Sequence, residues 1–215
     1  MSARPRSLWL VASLLALAGC GAPQPQRPDW IINSQLVFLA DDLGRARPAL
    51  PAAHFRLVFS YISGDLYGSP TTGDFIQPVL GTDNRFRIDL NRTHGDLLAS
   101  LETTNFSVSY LHIEPKDARL ARLAPQMLQA DGIEQVGRLD WFDPDSRREL
   151  LLLYLDRPAR ISGRTTARGR SLRYAIQAPA AGYVWVGRQS NADEDVYTVT
   201  PRPARVLLAA RDAHQ

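Results

Sequence analysis

A single cysteine, Cys20, stands in the 215 residues. It excludes an intramolecular disulfide and leaves an odd thiol to account for. The four histidines, His54, His94, His112 and His214, lie far apart. None forms the short-spaced pair with another His or Cys that a zinc site uses. Neither Gly-x-Ser-x-Gly nor Ser-x-x-Lys occurs, so no serine nucleophile announces itself, and no glycine-rich phosphate loop is present. Lys116 is the only lysine, and the arginines are scattered among acids with no basic run interleaved with aromatics. That pattern argues against nucleic acid as a partner. No apolar run reaches the roughly 20 residues needed to cross a hydrocarbon core.

What is present begins at the N-terminus. Arg4 and Arg6 form a positive segment, Leu8 to Leu17 a short apolar one, and the small residues Ala18 and Gly19 precede Cys20. This is the order of a secretory signal peptide. Leu17-Ala18-Gly19-Cys20 resembles the lipobox of bacterial lipoproteins. The resemblance implies cleavage just before Cys20, diacylglycerol on its sulfur and acylation of the new amino terminus. The lone thiol is then a lipidation site. Each buried acyl CH2 contributes about 0.8 kcal/mol and stable anchoring needs more than one chain, so such an anchor holds firmly. Gly21 stands where that family's inner-membrane retention signal has Asp, and the resemblance therefore implies a lipid-anchored protein of the outer membrane.

Loss of Arg4 and Arg6 with the signal brings Lys plus Arg from 25 to 23, against 22 for Asp plus Glu. The mature chain is close to neutral. We divide the full sequence into signal peptide (1–19), proline-rich linker (20–29), a single β-rich domain (30–210) and a polar tail (211–215). In the domain, Phe55, Leu57, Phe59 and Tyr61 alternate with Arg56, Val58, Ser60 and Ile62, which predicts a strand. Phe86, Ile88 and Leu90 alternate in the same way. Phe75 to Leu80 reads as an edge strand cut by Pro78. Leu150 to Leu155 is a continuous apolar run fitting a strand buried on both faces. Further strands are expected around Trp30 to Leu39, Ile133 to Phe142, Ile161, Leu172 to Ile176, Tyr183 to Val186, Val196 to Val199 and Arg205 to Ala210. Leu120, Leu123, Met127 and Leu128 recur every three to four residues, predicting a helical insertion near 116–130 kinked at Pro125. Many short strands between turns predict an antiparallel β-sandwich or barrel.

Few residues invite a chemical role. Asp140, Asp143 and Asp145, with Glu149 beyond, could offer oxygens to calcium or carboxylates to a cell-wall or glycan hydrolase. The acidic triplet Asp193-Glu194-Asp195 reads as a loop tip between strands. Trp141-Phe142, Tyr183, Trp185 and Tyr67 could stack on sugars or a partner, although a sandwich of this size needs such side chains in its core. His112 is expected to be a hydrogen-bonded strand residue. The sequence assigns no catalytic, cofactor or metal residue. It points to a membrane-anchored, non-enzymatic binding or accessory module with an envelope protein or glycan as partner, the hydrolase and a calcium-dependent carbohydrate binder being the alternatives.

Overall fold

The structure, a computed structural model, describes residues 29–39, 52–63, 75–92, 111–132, 134–167 and 169–211. Cys20, the linker up to Pro28, Tyr67, His94 and His214 lie outside them. The segments with period-two patterning become strands: β1 (Ile31–Phe38), β2 (Phe55–Ser63), β3 (Phe75–Ile76), β4 (Arg85–Asp89) and β5 (Leu111–Glu114). They are followed by β6 (Leu120–Gln129), β7 (Gln135–Asp143), β8 (Arg148–Leu155), β9 (Ala159–Ala167), β10 (Arg170–Ala178), β11 (Gly182–Ser190), β12 (Glu194–Thr200) and β13 (Val206–Arg211). All belong to one sheet that does not close, in the order β4-β1-β13-β7-β6-β8-β11-β12-β10-β9-β5, with β2 on the free side of β6 and β3 on β2. The domain is mainly β, as expected, and sandwich-like. The sheet is mixed rather than purely antiparallel, because β1 runs parallel to β13 and β10 parallel to β12.

The helix expected near 116–130 is not there. Residues 120–129 form β6, paired along one whole edge with β2. On its other edge β6 follows β8 from Leu120 to Leu123 and then β7 at Met127 and Leu128. Since β7 and β8 are themselves an antiparallel hairpin, β6 must turn a corner between the two contacts. Pro125 sits at that corner, where neither β7 nor β8 pairs with it, so its missing N–H costs no ladder bond on that edge. Bends of this kind let one sheet fold over into two layers. The three-to-four spacing that imitates a helix arises because the strand serves two cores. Leu120 enters one of them, and Leu123 and Met127 the other.

Those two cores share a wall. On β8, Leu150, Leu152 and Tyr154 face the first core, while Leu153 and Leu155 face the second. On β11, Tyr183 and Trp185 face the first, and Val186 the second, with Val184 packed against it. The first core centres on Trp141, stacked on Phe59 at 5.3 Å and edge-on to Trp185 at 5.7 Å. Its indole N–H donates to the Leu123 carbonyl at the corner of β6, at 3.4 Å. Tyr61 and Tyr183 share a buried hydroxyl hydrogen bond of 2.5 Å. Trp141, Tyr183 and Trp185 are therefore core residues, and their aromatic faces are not offered to a ligand.

The domain's entry point is clamped. Arg202 donates to the carbonyls of Asp29 and Ile31 at 2.8 and 2.6 Å and lies over the Trp30 ring. The chain thus enters the fold at the start of β1. The end of β13, beside Leu39, lies at the far end of the same ladder, roughly 25 Å away at 3.3 Å per residue.

Candidate functional site: an arginine-lined cleft

At one end of the second core, its inner faces change from apolar to charged. Strand parity carries the change. Going outward on β8, Leu153 and Leu151 are followed by Glu149, and on β11 Val184 and Val186 are followed by Arg188. On β10, Arg170 precedes Leu172, and on β12, Asp195 precedes Tyr197. From the adjoining branch β7 adds Arg138 and Asp140, on the face opposite Leu139 and Trp141, and β13 adds Arg211, directly opposite Arg138 in register. These ends enclose a cleft of 320 Å³, floored by Leu150, Leu151, Leu172 and Tyr197 and reached by Arg122 of β6. An outer lobe of 660 Å³ shares Arg138, Glu149, Arg170 and Arg188 with it and adds Phe142, Arg147, Arg148 and Arg211.

The side chains are tied to one another. Asp195, whose side chain is 2% exposed, accepts both arms of Arg170, at 2.9 and 3.3 Å, and Arg188 at 2.8 Å. Arg170 also donates to the carbonyls of Asn191 and Ala192. Arg188 bridges to Glu149, whose other oxygen lies 3.3 Å from Arg211. Asp140 pairs with Arg138 at 2.9 Å and lies 3.8 Å from Arg211. Every acid in the cleft is held by at least two guanidinium groups. Planar guanidinium forks suit such shared, bidentate pairing.

The balance of charge is uneven. The residues lining the two lobes include Arg122, Arg138, Arg147, Arg148, Arg170, Arg188 and Arg211 and the acids Asp140, Glu149 and Asp195. Burial alone would raise the Asp195 carboxyl, but hydrogen bonds from Arg170, Ser190 and Arg188 outweigh it and hold it at about 2. Asp140 goes the other way. Its burial and the neighbouring Glu149 push the carboxyl above its ordinary value, in spite of the attraction of Arg138 and Arg211. Burial opposes the charge of Arg188 as well, yet Glu149 and Asp195 keep its pKa raised.

Compared with known proteins, the chain matches no family model, no curated protein and no solved structure. The cleft's own chemistry therefore has to carry the functional argument.

Of the residues singled out in the sequence, Asp140 and Glu149 reach the cleft and Asp143 and Asp145 do not. Asp143 accepts the Asp145 N–H at 3.0 Å and the Ser146 hydroxyl at 2.5 Å, closing the β7–β8 hairpin turn. The three aspartates thus do not converge on one pocket. Among the described residues no three acids or histidines come together as metal ligands would. The triplet Asp193-Glu194-Asp195 is only partly a loop tip. Asn191 caps the N–H groups of Asp193 and Glu194, and β12 starts at Glu194. Glu194 pairs outward with Arg164 and Arg173, and Asp195 turns inward. His112 is exposed and bonded to Glu114 at 3.0 Å on β5, a strand residue with a satisfied ring. Sequence reasoning missed Arg138, Arg170, Arg188 and Arg211. The one signal for them is parity, each continuing a row of inward-facing positions.

Proposed function

We propose that this chain is a lipid-anchored lipoprotein of the bacterial outer membrane, and that its β-rich domain is a non-enzymatic binding module taking an anionic envelope partner in the arginine-lined cleft. The excess of fixed guanidinium groups over carboxylates in a concave, apolar-floored site carries this reading, since such sites combine shape with a few placed polar groups. Asp140 and Glu149 are each clamped between arginines, an arrangement that favours holding a ligand over the free proton exchange a glycan hydrolase needs.

Two measurements test the two halves. Fatty-acid labelling and membrane fractionation should find the wild-type protein labelled and membrane-bound, and Cys20→Ser unlabelled and either uncleaved or released. A Cys20→Ser protein still cut at the same bond and still membrane-bound refutes the anchor. A photo-crosslinker at position 148, on the cleft rim, should trap a partner in native membranes that the same group at Arg160, at the opposite strand ends, does not. Equal products from both positions, or none from 148, refute the cleft as the binding face.

A further inference from the structure

Resting on the cleft as the binding face, we infer that this face continues across the sheet into a second hollow, and that its ligand is an acidic polypeptide segment bound in extended form. The register lays one row of side chains over five adjacent strands: Arg85 on β4, Gln35 on β1, Leu207 on β13, Phe142 on β7 and Glu149 on β8. Residues paired across a ladder project to the same side of the sheet, so all five share one face. Glu149 and Phe142 line the outer lobe of the cleft. Leu207, Gln35 and Arg85 line a hollow of 840 Å³ over β4, β1 and β13. The two hollows therefore meet where Leu207 stands opposite Phe142, both partly exposed. At about 4.8 Å per strand the row runs roughly 19 Å, which an extended chain covers with about six residues.

The chemistry along the row fits an acidic peptide. In the second hollow Arg87 stands opposite Asn33, and one step back along the β1–β13 ladder from Val206 brings Arg205 beside the same amide. Arg87 and Arg205 are exposed and make no ion pair with any described residue. The acids of the same edge, Asp83 and Asp89, are engaged by Arg85 and Asn91. Two guanidinium groups flanking an amide suit a carboxylate. At the other end of the row, Arg148 on the cleft rim is likewise exposed and without an ion pair among the described residues. Between these ends the lining is apolar. It comprises Leu207, Phe142 and, in the wall of the second hollow, Val79, the one exposed large apolar side chain among the described residues. A segment with acids at its ends and apolar side chains between them matches that order. A glycan matches it poorly, because sugar rings stack on open aromatic faces and Trp141, Tyr183 and Trp185 are enclosed in the first core.

The test is binding to the full chain in nonionic micelles, read by fluorescence anisotropy. The probe is a labelled peptide of about eight residues, long enough to span the row in extended form, with glutamates at both ends and leucines and valines between. Its two separate halves and an oligogalacturonate, an anionic glycan, serve as comparisons. The whole peptide is expected to bind about tenfold or more tightly than either half, because the second contact becomes intramolecular once the first is made. Arg205→Glu and Arg148→Glu should each weaken it roughly tenfold. Both should leave the ligand-free melting midpoint in place, since neither side chain is paired with a described residue. Weakening by Arg148→Glu alone overturns the second hollow and keeps the cleft as the binding face. Tighter binding of the oligogalacturonate than of the peptide overturns the peptide assignment. Peptide binding that neither variant changes, or no binding at all, overturns the inference, while the crosslink from position 148 still decides for or against the cleft.

Discussion

Replacing Asp195 with alanine should destabilise the domain by about 3–5 kcal/mol, the usual result of breaking a buried ion pair from one side, and lower its melting midpoint by roughly 6–20 °C. The carboxylate is almost fully buried, pairs with Arg170 and shares Arg188 with Glu149. Its removal takes away Arg170's carboxylate partner and one of the two that hold Arg188. Asp195→Asn keeps the shape and removes the charge, so it should lose less than alanine does. The charge also sets a pH dependence. With a folded pKa of about 2 below the ordinary carboxyl value near 3.9, the unfolded chain takes up the proton first. The stabilisation is therefore fully present above about pH 4 and is lost as pH falls toward 2. Asp140, with its raised pKa, contributes with the opposite sign: its share of stability grows as pH falls through its folded value. A melting series against pH should thus show a steep loss between about pH 4 and 2 in the wild type and a shallower one in Asp195→Asn. Identical acid limbs would remove Asp195 from the account.

The strands were legible in the sequence where a segment served one core or walled two in a straight run. Phe55 to Tyr61 alternates because only that face reaches the first core's centre, and Leu150 to Leu155 is continuous because both faces are covered. β6 was illegible for a physical reason. Its apolar residues are divided between two cores across a bend, and the bend depends on β7 and β8, which follow it in the chain. Local spacing then imitated a helix, and Pro125, which marks a sheet corner, looked like a kink in it.

The cleft was less legible still. Arginines occur on the outer face of the same sheet, as Arg164 and Arg173 do when they pair with Glu194, so charge alone does not separate inside from outside. Only parity does: Arg188 continues Val184 and Val186, and Asp195 leads into Tyr197. Even that yields a list of inward positions and not a site. The meeting of Arg138, Arg170, Arg188 and Arg211 depends on two parallel pairings, β1 with β13 and β10 with β12, which no local pattern specifies. The near absence of lysine gains meaning in this light, because shared, bidentate pairing of the kind that holds Asp195 needs a guanidinium and is poorly served by an ammonium.

The shared wall makes a sharper prediction about how these parts hold together. Leu152 and Leu153 are adjacent on β8, both fully buried, and they face different cores. Leu152→Ala opens a cavity beside the Trp141 cluster, and Leu153→Ala one beside Tyr174 and Ile161. Each should cost about 2–5 kcal/mol, the range for large-to-small changes in closed cores. If the cores were separable, Leu153→Ala would melt the cleft-bearing layer first and leave the Trp141 layer standing. They are not separable, because β8 and β11 supply side chains to both and no strand of that wall can leave one core without leaving the other. Both variants should therefore unfold in a single transition, with coincident midpoints for near-UV and far-UV circular dichroism. A two-step melt in Leu153→Ala would show that the layers fold independently. A single step ties the geometry of the arginine cleft to packing in the first core as well as the second.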